Sequence, residues 1–497
     1  MGMNEPGEHL NPTEEISSEL VKKRALRGVM TLTGRTFFLN IISLIAQGFL
    51  WAFLNEYQFG VFWVVSAIVN FLVYFSDIGL AAALIQKKDR LTQKDLQTTF
   101  TVQEILVFIL ILVLFSVTPV FERTHALPPE GKLLLYSLAF SFFLSSLKTI
   151  PSILLERNLE FGKFVIPQIL ENLFYNLSVV FFAWKGFGIT SFSYAVVIRS
   201  VVGLVSVYLL RPWKPGISLS KESLKKLLSF GIPYQANTLL AVVKDDGMTI
   251  LLGSILGPAG MGILGTAQRL SQYPLRFFLD NVTKVTFPAF SRLQNKKEEL
   301  ARVVTKSLFF ITFLVFPSII GLVIISPFII KVIPRYAKWE PALLPLSLLS
   351  INTIFAAATT QLTNLLNSIG KIKIHFKLML MWTALTILIV PVLSIIFGVN
   401  GAAFAFAIIS LSSVVAIYIS KKYVNFSIKE GILKPLMASL TMGLILLLVR
   451  QFLTPSFFSI AFLISLGAFV YLILCFVLVG GSFLEDVQKS IKTFFSK

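Results

Sequence analysis

A single cysteine, Cys475, leaves no partner for an intramolecular disulfide. Only three histidines occur, His9, His125 and His375, and they are spread between the N-terminal tail, a loop and a helix end, so neither a transition-metal site nor a metal cofactor is expected. No GxxxxGK[ST] phosphate loop is present, which argues against direct ATP binding. The polar start MGMNEP has no apolar h-region, so no cleaved secretory signal is expected, and Pro6 breaks the myristoylation pattern. Acids are scarce as well, with 25 Asp and Glu against 44 Lys and Arg and a formal net charge of +19. Charged residues of all kinds make up only 14% of the 497 positions.

What is abundant is apolar. Hydrophobic residues supply 55% of the chain and mean hydropathy is +0.80, which excludes a soluble multidomain protein and leaves an integral membrane protein. A helix needs about 20 apolar residues to cross the hydrocarbon core. Runs of that kind between residues 29 and 479 predict an all-α polytopic membrane protein of about 14 transmembrane helices. An even count puts both termini on one side. Assigning that side to the cytoplasm gathers Lys22-Lys23-Arg24-Arg27, Lys87-Lys88-Arg90-Lys94, Lys221-Lys225-Lys226, Arg292-Lys296-Lys297 and Lys421-Lys422 there. Such an asymmetry follows the positive-inside rule, so the basic excess reads as topology and contact with anionic membrane lipids, and no nucleic-acid partner is expected.

The segment Leu54–Phe62 resembles Leu256–Leu264, with Gly60 over Gly262. This weak internal repeat predicts two pseudo-symmetric six-helix bundles, 29–210 and 227–420, with the binding site between them. The proline-bearing linker 211–226 joins the bundles. An N-terminal segment (1–28), two further helices (421–480) and an amphipathic tail (481–497) complete the expected plan.

Charges inside the spans are the candidates for function, because a charge at the bilayer centre costs roughly 2.5 to 3.5 kcal/mol unless it faces protein or water. The stretch Ser229–Lys284 is the richest. It carries Lys244, Asp245 and Asp246, then Arg269, Arg276, Asp280 and Lys284 along one helical stripe, and one of the two adjacent acids is expected to pair with Arg269. Arg35 and Asp77 lie at similar depths in the first two spans and are expected to pair. Arg35, Lys148, Arg199, Arg269, Arg276 and Lys284 suit an anionic headgroup, since arginine can grip phosphate through two hydrogen bonds. Asp77, Asp245, Asp246 and Asp280 suit ion coupling or charge pairing. The structural alternative is that all these charges only hold helices together. Gln168, Asn172 and Asn176 stack at four-residue spacing, a pattern suited to hydrogen bonding between helices.

Four runs carry a family resemblance: Tyr57–Phe62, Phe75–Lys88, Ile153–Phe161 and Ser229–Pro233. They resemble the polysaccharide flippase (Wzx-type, polysaccharide transport) family of the multidrug/oligosaccharidyl-lipid/polysaccharide (MOP) superfamily. The resemblance implies two helical bundles, alternating access, and export of an undecaprenyl-diphosphate-linked oligosaccharide across a bacterial plasma membrane for surface polysaccharide. A polysaccharide polymerase and chain-length proteins are then the implied partners. The arginine-rich opening motifs of the peptidoglycan-precursor branch are missing, which disfavours lipid II as substrate. A cation-coupled exporter of amphipathic compounds on the same fold is the alternative. A membrane glycosyltransferase or ligase is a weaker one, because the short outer loops leave little room for a catalytic centre.

Overall fold

The computed structural model describes residues 18–87, 89, 91–123 and 127–479. His9, His125 and the tail 481–497 lie outside them. The described residues form helices and connecting turns, with no strand. Helices α1 (Ser18–Phe53), α2 (Glu56–Val73), α3 (Leu80–Gln86) and α4 (Gln93–Arg123) come first. They are followed by α5 (Gly131–Leu147), α6 (Thr149–Arg157), α7 (Phe161–Trp184) and α8 (Thr190–Leu210). Next are α9 (Lys221–Val242), a π-helical turn (Val243–Gly247), α10 (Met248–Arg292), α11 (Lys297–Val332) and a 3₁₀ segment (Pro334–Ala342). Helices α12 (Leu343–Ser368), α13 (Ile372–Leu411) and α14 (Ser413–Tyr423), a second π-helical turn (Lys429–Leu433), α15 (Lys434–Arg450) and α16 (Phe457–Val479) complete the described set. Among the described residues, eleven helical stretches are long and apolar enough to cross a membrane, or twelve if α5 and α6, bent by 45°, form one span. Helices α10 and α13 are broken at Gly257 and Gly398, whose φ values are +66° and +60°.

The chain divides into two compact units. The first ends at Pro258 and the second begins at Ala259, with Asn55–Gly60 also belonging to the second. The border therefore falls one residue past the break in α10 at Gly257.

In the first unit, three of the runs that carry the family resemblance meet around the short helix α3. The chain leaves α2 through Tyr74–Gly79, where Ile78 and Gly79 take φ values of +47° and +74°. Gly79 then lies directly on the backbone of Gly231 in α9, and no side chain fits at either position. Tyr74 and Gln235 exchange side-chain to backbone hydrogen bonds across the same crossing. From the other side, Arg157 at the end of α6 donates to the carbonyls of Leu84 (2.6 Å) and Asp89 (3.0 Å). It thereby satisfies carbonyl groups at the end of α3 that have no helical partner. Leu80, Leu84, Ile150, Ile153 and Leu154 seal the contact as a buried cluster. Arg157→Ala should lower the thermal unfolding midpoint of the purified protein, a loss on the order of 1 kcal/mol, because it leaves the part-buried Leu84 carbonyl unpaired.

The bend between α5 and α6 has a local cause. Pro151 has no N–H to offer the carbonyl of Leu147 one turn earlier. That carbonyl accepts from the Tyr208 hydroxyl instead, at 3.0 Å.

In the second unit, α10, α11 and α12 enclose a buried cluster that includes Phe290, Leu308, Val315, Phe316 and Leu362. The last two helices share a separate cluster with α11, in which Phe328 meets Met442, Leu446 and Tyr471. Arg450 secures α15 to α11 by donating to the Ile324 carbonyl at 2.7 Å.

Candidate functional site

Helix α7 packs along both α1 and α8, and one of its turns, Gln168 to Glu171, receives three cations, two from those helices and one from the α5–α6 bend. Arg35 of α1 hydrogen-bonds Gln168. Lys148, at the α5–α6 bend, donates to one Glu171 oxygen. Arg199 of α8 places Nε 3.7 Å from the other oxygen and its guanidinium 5.9 Å from the Tyr175 ring centroid. Three cations against one carboxylate leave a formal excess of two positive charges at this turn.

The burial is uneven, and that matters for chemistry. The Glu171 side chain is only 9% exposed, whereas Arg199 is 53% exposed. Room for the carboxylate comes from Gly203, one turn beyond Arg199, where an added Cβ would lie 1.9 Å from Glu171 Oε1. Arg35 Nε is buried and has no hydrogen-bond acceptor among the described residues. On neighbouring α4, Glu104 accepts from Ser146 at 3.1 Å, while its other oxygen is buried without a partner. The arrangement is thus a turn at which one internal carboxylate engages two of three cations. A phosphate oxygen arriving from the Arg199 side could replace that carboxylate with stronger, charge-assisted bonds.

The expected Arg35–Asp77 pair does not form. Helix α2 ends at Val73, four residues short of Asp77, and the turn that follows aims the carboxylate at the start of α3. There it accepts from the Ala81 amide at 2.9 Å, so Asp77 caps a helix and Arg35 is free to meet α7. The polar stack on α7 does bond between helices, Asn172 donating to Ser43 of α1 at 3.3 Å, while Asn176 donates to Asn172 within α7 at 3.0 Å.

The second charged stretch is split by the unit border. Lys244, Asp245 and Asp246 occupy the π-helical turn of the first unit, a widened helical geometry that is frequent at functional sites. Lys244 and Asp245 are paired at 3.2 Å. In the second unit, Arg269 and Arg276 are exposed on α10 with Tyr273 between them, and Arg269 hydrogen-bonds Tyr273 one turn away. The side chains of Asp280 and Lys284, also on α10, lie outside the described residues. Among the described residues, no group of three His, Cys, Asp or Glu could hold a metal ion.

Reading the spans singly missed Glu171 as an anchor. The available signal was its placement three residues after Gln168, together with a glycine four residues after Arg199 on the facing helix.

A chain built of membrane-length helices, with a cluster of cations on their faces, is a multi-pass α-helical membrane protein of transporter type. Residues 50–343, more than half of the chain, match the family described as polysaccharide biosynthesis protein, and the chain belongs to that family. It is similar to the lipopolysaccharide biosynthesis protein WzxC of Escherichia coli K12, with 22% identity over 400 residues covering 80% of this chain and 81% of WzxC. Similarity to the teichuronic acid biosynthesis protein TuaB of Bacillus subtilis 168 is 25% over 419 residues, covering 80% and 84%. Among solved structures, the lipid II flippase MurJ in an inward closed conformation superposes with a TM-score of 0.75 at 19% identity, covering 92% of this chain and 99% of MurJ. An inward-facing multidrug resistance MATE family transporter of the MOP superfamily superposes at 0.60 and 16%, covering 78% and 94%. These likenesses establish the MOP fold. The protein is a multi-pass protein of the bacterial inner membrane.

Proposed function

We propose that this protein flips an undecaprenyl-diphosphate-linked oligosaccharide across the bacterial inner membrane by alternating access, supplying surface polysaccharide assembly. Family membership and relatives named for lipopolysaccharide and teichuronic acid biosynthesis support this reading. The single observation that carries its chemistry is the convergence of Arg35, Lys148 and Arg199 on one turn of α7. Two arginines and a lysine match a diphosphate, the guanidinium groups by paired hydrogen bonds and the ammonium as a point charge. Glu171 keeps the cations in place between substrates and gives way when phosphate arrives.

Arg269 and Arg276 on α10, together with Lys284, are further cations suited to an anionic headgroup. Asp77, Asp245, Asp246 and Asp280 are the candidates for ion coupling. A negative cell interior adds a driving force, since moving one charge across 100 mV is worth about 2.3 kcal/mol and an anion leaves downhill. In this reading the breaks at Gly257 and Gly398 each separate two spans, giving fourteen helices with both termini cytoplasmic. The bundles are 29–210 and 227–420, joined by 211–226 and followed by helices within 421–480. A polysaccharide polymerase and chain-length proteins are the partners this places downstream.

The test is complementation of a bacterial strain lacking the gene. Arg269→Ala with Arg276→Ala should reduce surface polysaccharide at least tenfold at normal protein abundance. Wild-type polysaccharide from that double variant would remove the α10 stripe from the proposed path.

A further inference from the structure

One end of the second unit carries an unneutralised basic patch. Lys371, Lys373 and Lys377 lie at and just inside the start of α13, and Lys421 and Lys422 lie at the end of α14. The two ends are adjacent, because Lys371 Nζ sits 5.1 Å from the Tyr423 ring centroid and Ile374 of α13 joins Ile419 of α14 in one apolar cluster. All five lysines are exposed. No Asp or Glu occurs from Pro341 through Lys429, and none of the five makes an ion pair among the described residues.

Other basic segments differ in this respect. Lys87 is paired with Asp95 at 2.7 Å, Lys226 with Glu222 at 2.8 Å and Lys296 with Glu299 at 3.2 Å. Like charges one helical turn apart, as at Lys373 and Lys377, repel one another. A patch without an internal counter-charge therefore favours an external anion. The surface just beyond it says which kind. Phe376, Leu380, Leu411 and Tyr418 are about half exposed or more on the same two helices, so an anion bound here adjoins an apolar collar. A soluble phosphate or an acidic peptide makes no use of that collar, whereas an acyl chain does.

We infer that the α13–α14 end is a binding site for an anionic glycerophospholipid, whose phosphate is held by Lys371, Lys373, Lys377, Lys421 and Lys422 and whose acyl chains lie along the exposed apolar face below. The Lys371–Tyr423 and Lys422–Tyr418 contacts, the latter at 4.6 Å, fix two ammonium groups in position by cation–π attraction. Basic clusters beside membrane helices attract anionic headgroups, each lysine adding to the attraction.

The experiment titrates the purified full chain in neutral detergent with phosphatidylglycerol, reading the thermal unfolding midpoint and, by native mass spectrometry, retained lipid. Phosphatidylglycerol should raise the midpoint and phosphatidylcholine should not. The variant Lys373→Gln/Lys377→Gln/Lys421→Gln/Lys422→Gln should need at least about tenfold more phosphatidylglycerol for half the effect. The matching four-arginine variant should need no more than the wild type, which separates lost charge from lost folding. Lys296→Gln/Lys297→Gln, in a segment already paired with acid, should behave as wild type. Equal phosphatidylglycerol responses in the glutamine variant and the wild type would overturn the site. Half-saturation by soluble glycerol phosphate at the same concentration would overturn the lipid assignment.

Discussion

Gly79→Ala should produce the largest loss of stability of any single methyl added to the first unit. The new Cβ would lie 2.3 Å from the Gly231 carbonyl oxygen and 2.7 Å from its Cα, and both belong to backbone that cannot rotate away. The residue would also be held at φ +74°, which costs an L-residue about 1–2 kcal/mol. Overpacking typically adds about 1–3 kcal/mol. The combined loss is a large part of the marginal stability of an ordinary domain, about 5–15 kcal/mol. A sharply lower unfolding midpoint and poor recovery of monodisperse protein are expected. Gly231→Ala should act alike, since its Cβ would meet the Ile78 carbonyl at 2.6 Å. Gly162→Ala, in α7 with open space around it, is the control and should leave the midpoint unchanged or slightly raised.

Glu171→Ala should have the second largest effect, and a different signature. Removing the carboxylate leaves Lys148 and Arg199 facing each other without a counter-charge. A fully buried pair broken in this way costs about 3–5 kcal/mol. Arg199 is half exposed and Lys148 partly so, so solvent screening reduces the expected loss to roughly 1–3 kcal/mol. Gly203→Ala should reproduce part of the loss by pushing Glu171 off its seat, because the clash is with a side-chain oxygen that can swing away. The decisive reading is a double-mutant cycle. With Glu171 already alanine, Gly203→Ala should add little to the unfolding shift, since the group it displaces is gone. Fully additive shifts would mean that Gly203 supports something other than the carboxylate.

How much of this was legible beforehand depends on which dimension the sequence encodes. Composition and run length give depth along a membrane normal, so the membrane class and the loaded positions Arg35, Lys148 and Arg199 could be read directly. Direction around each helix is poorly encoded when nearly every face is apolar. Arg35 and Asp77 share a depth, yet α2 stops short of Asp77 and the Ala81 amide takes its carboxylate. Glu171 falls outside the four-residue spacing of Gln168, Asn172 and Asn176, so that pattern does not single it out. Its role emerged only when α5 and α8 brought Lys148 and Arg199 to it. Two runs that marked the family, around Ser76–Gly79 and Ser229–Pro233, turned out to hold the Gly79–Gly231 crossing. Their residue choice is explained by backbone contact.

In the proposed reading Glu171 links packing to transport: it holds Lys148 and Arg199 in place when no substrate is present, and it competes with the substrate for them. Glu171→Gln should therefore tighten substrate binding while slowing turnover, provided the protein still folds.

The most direct measurement is binding of an undecaprenyl-diphosphate-linked sugar to the purified protein in lipid nanodiscs, comparing wild type with Arg35→Gln/Lys148→Gln/Arg199→Gln. The triple variant, if monodisperse, should bind at least tenfold more weakly, while undecaprenol without phosphate binds both proteins equally. Unchanged affinity for the diphosphate lipid in a folded triple variant would contradict the assignment of the α7 turn as the phosphate seat.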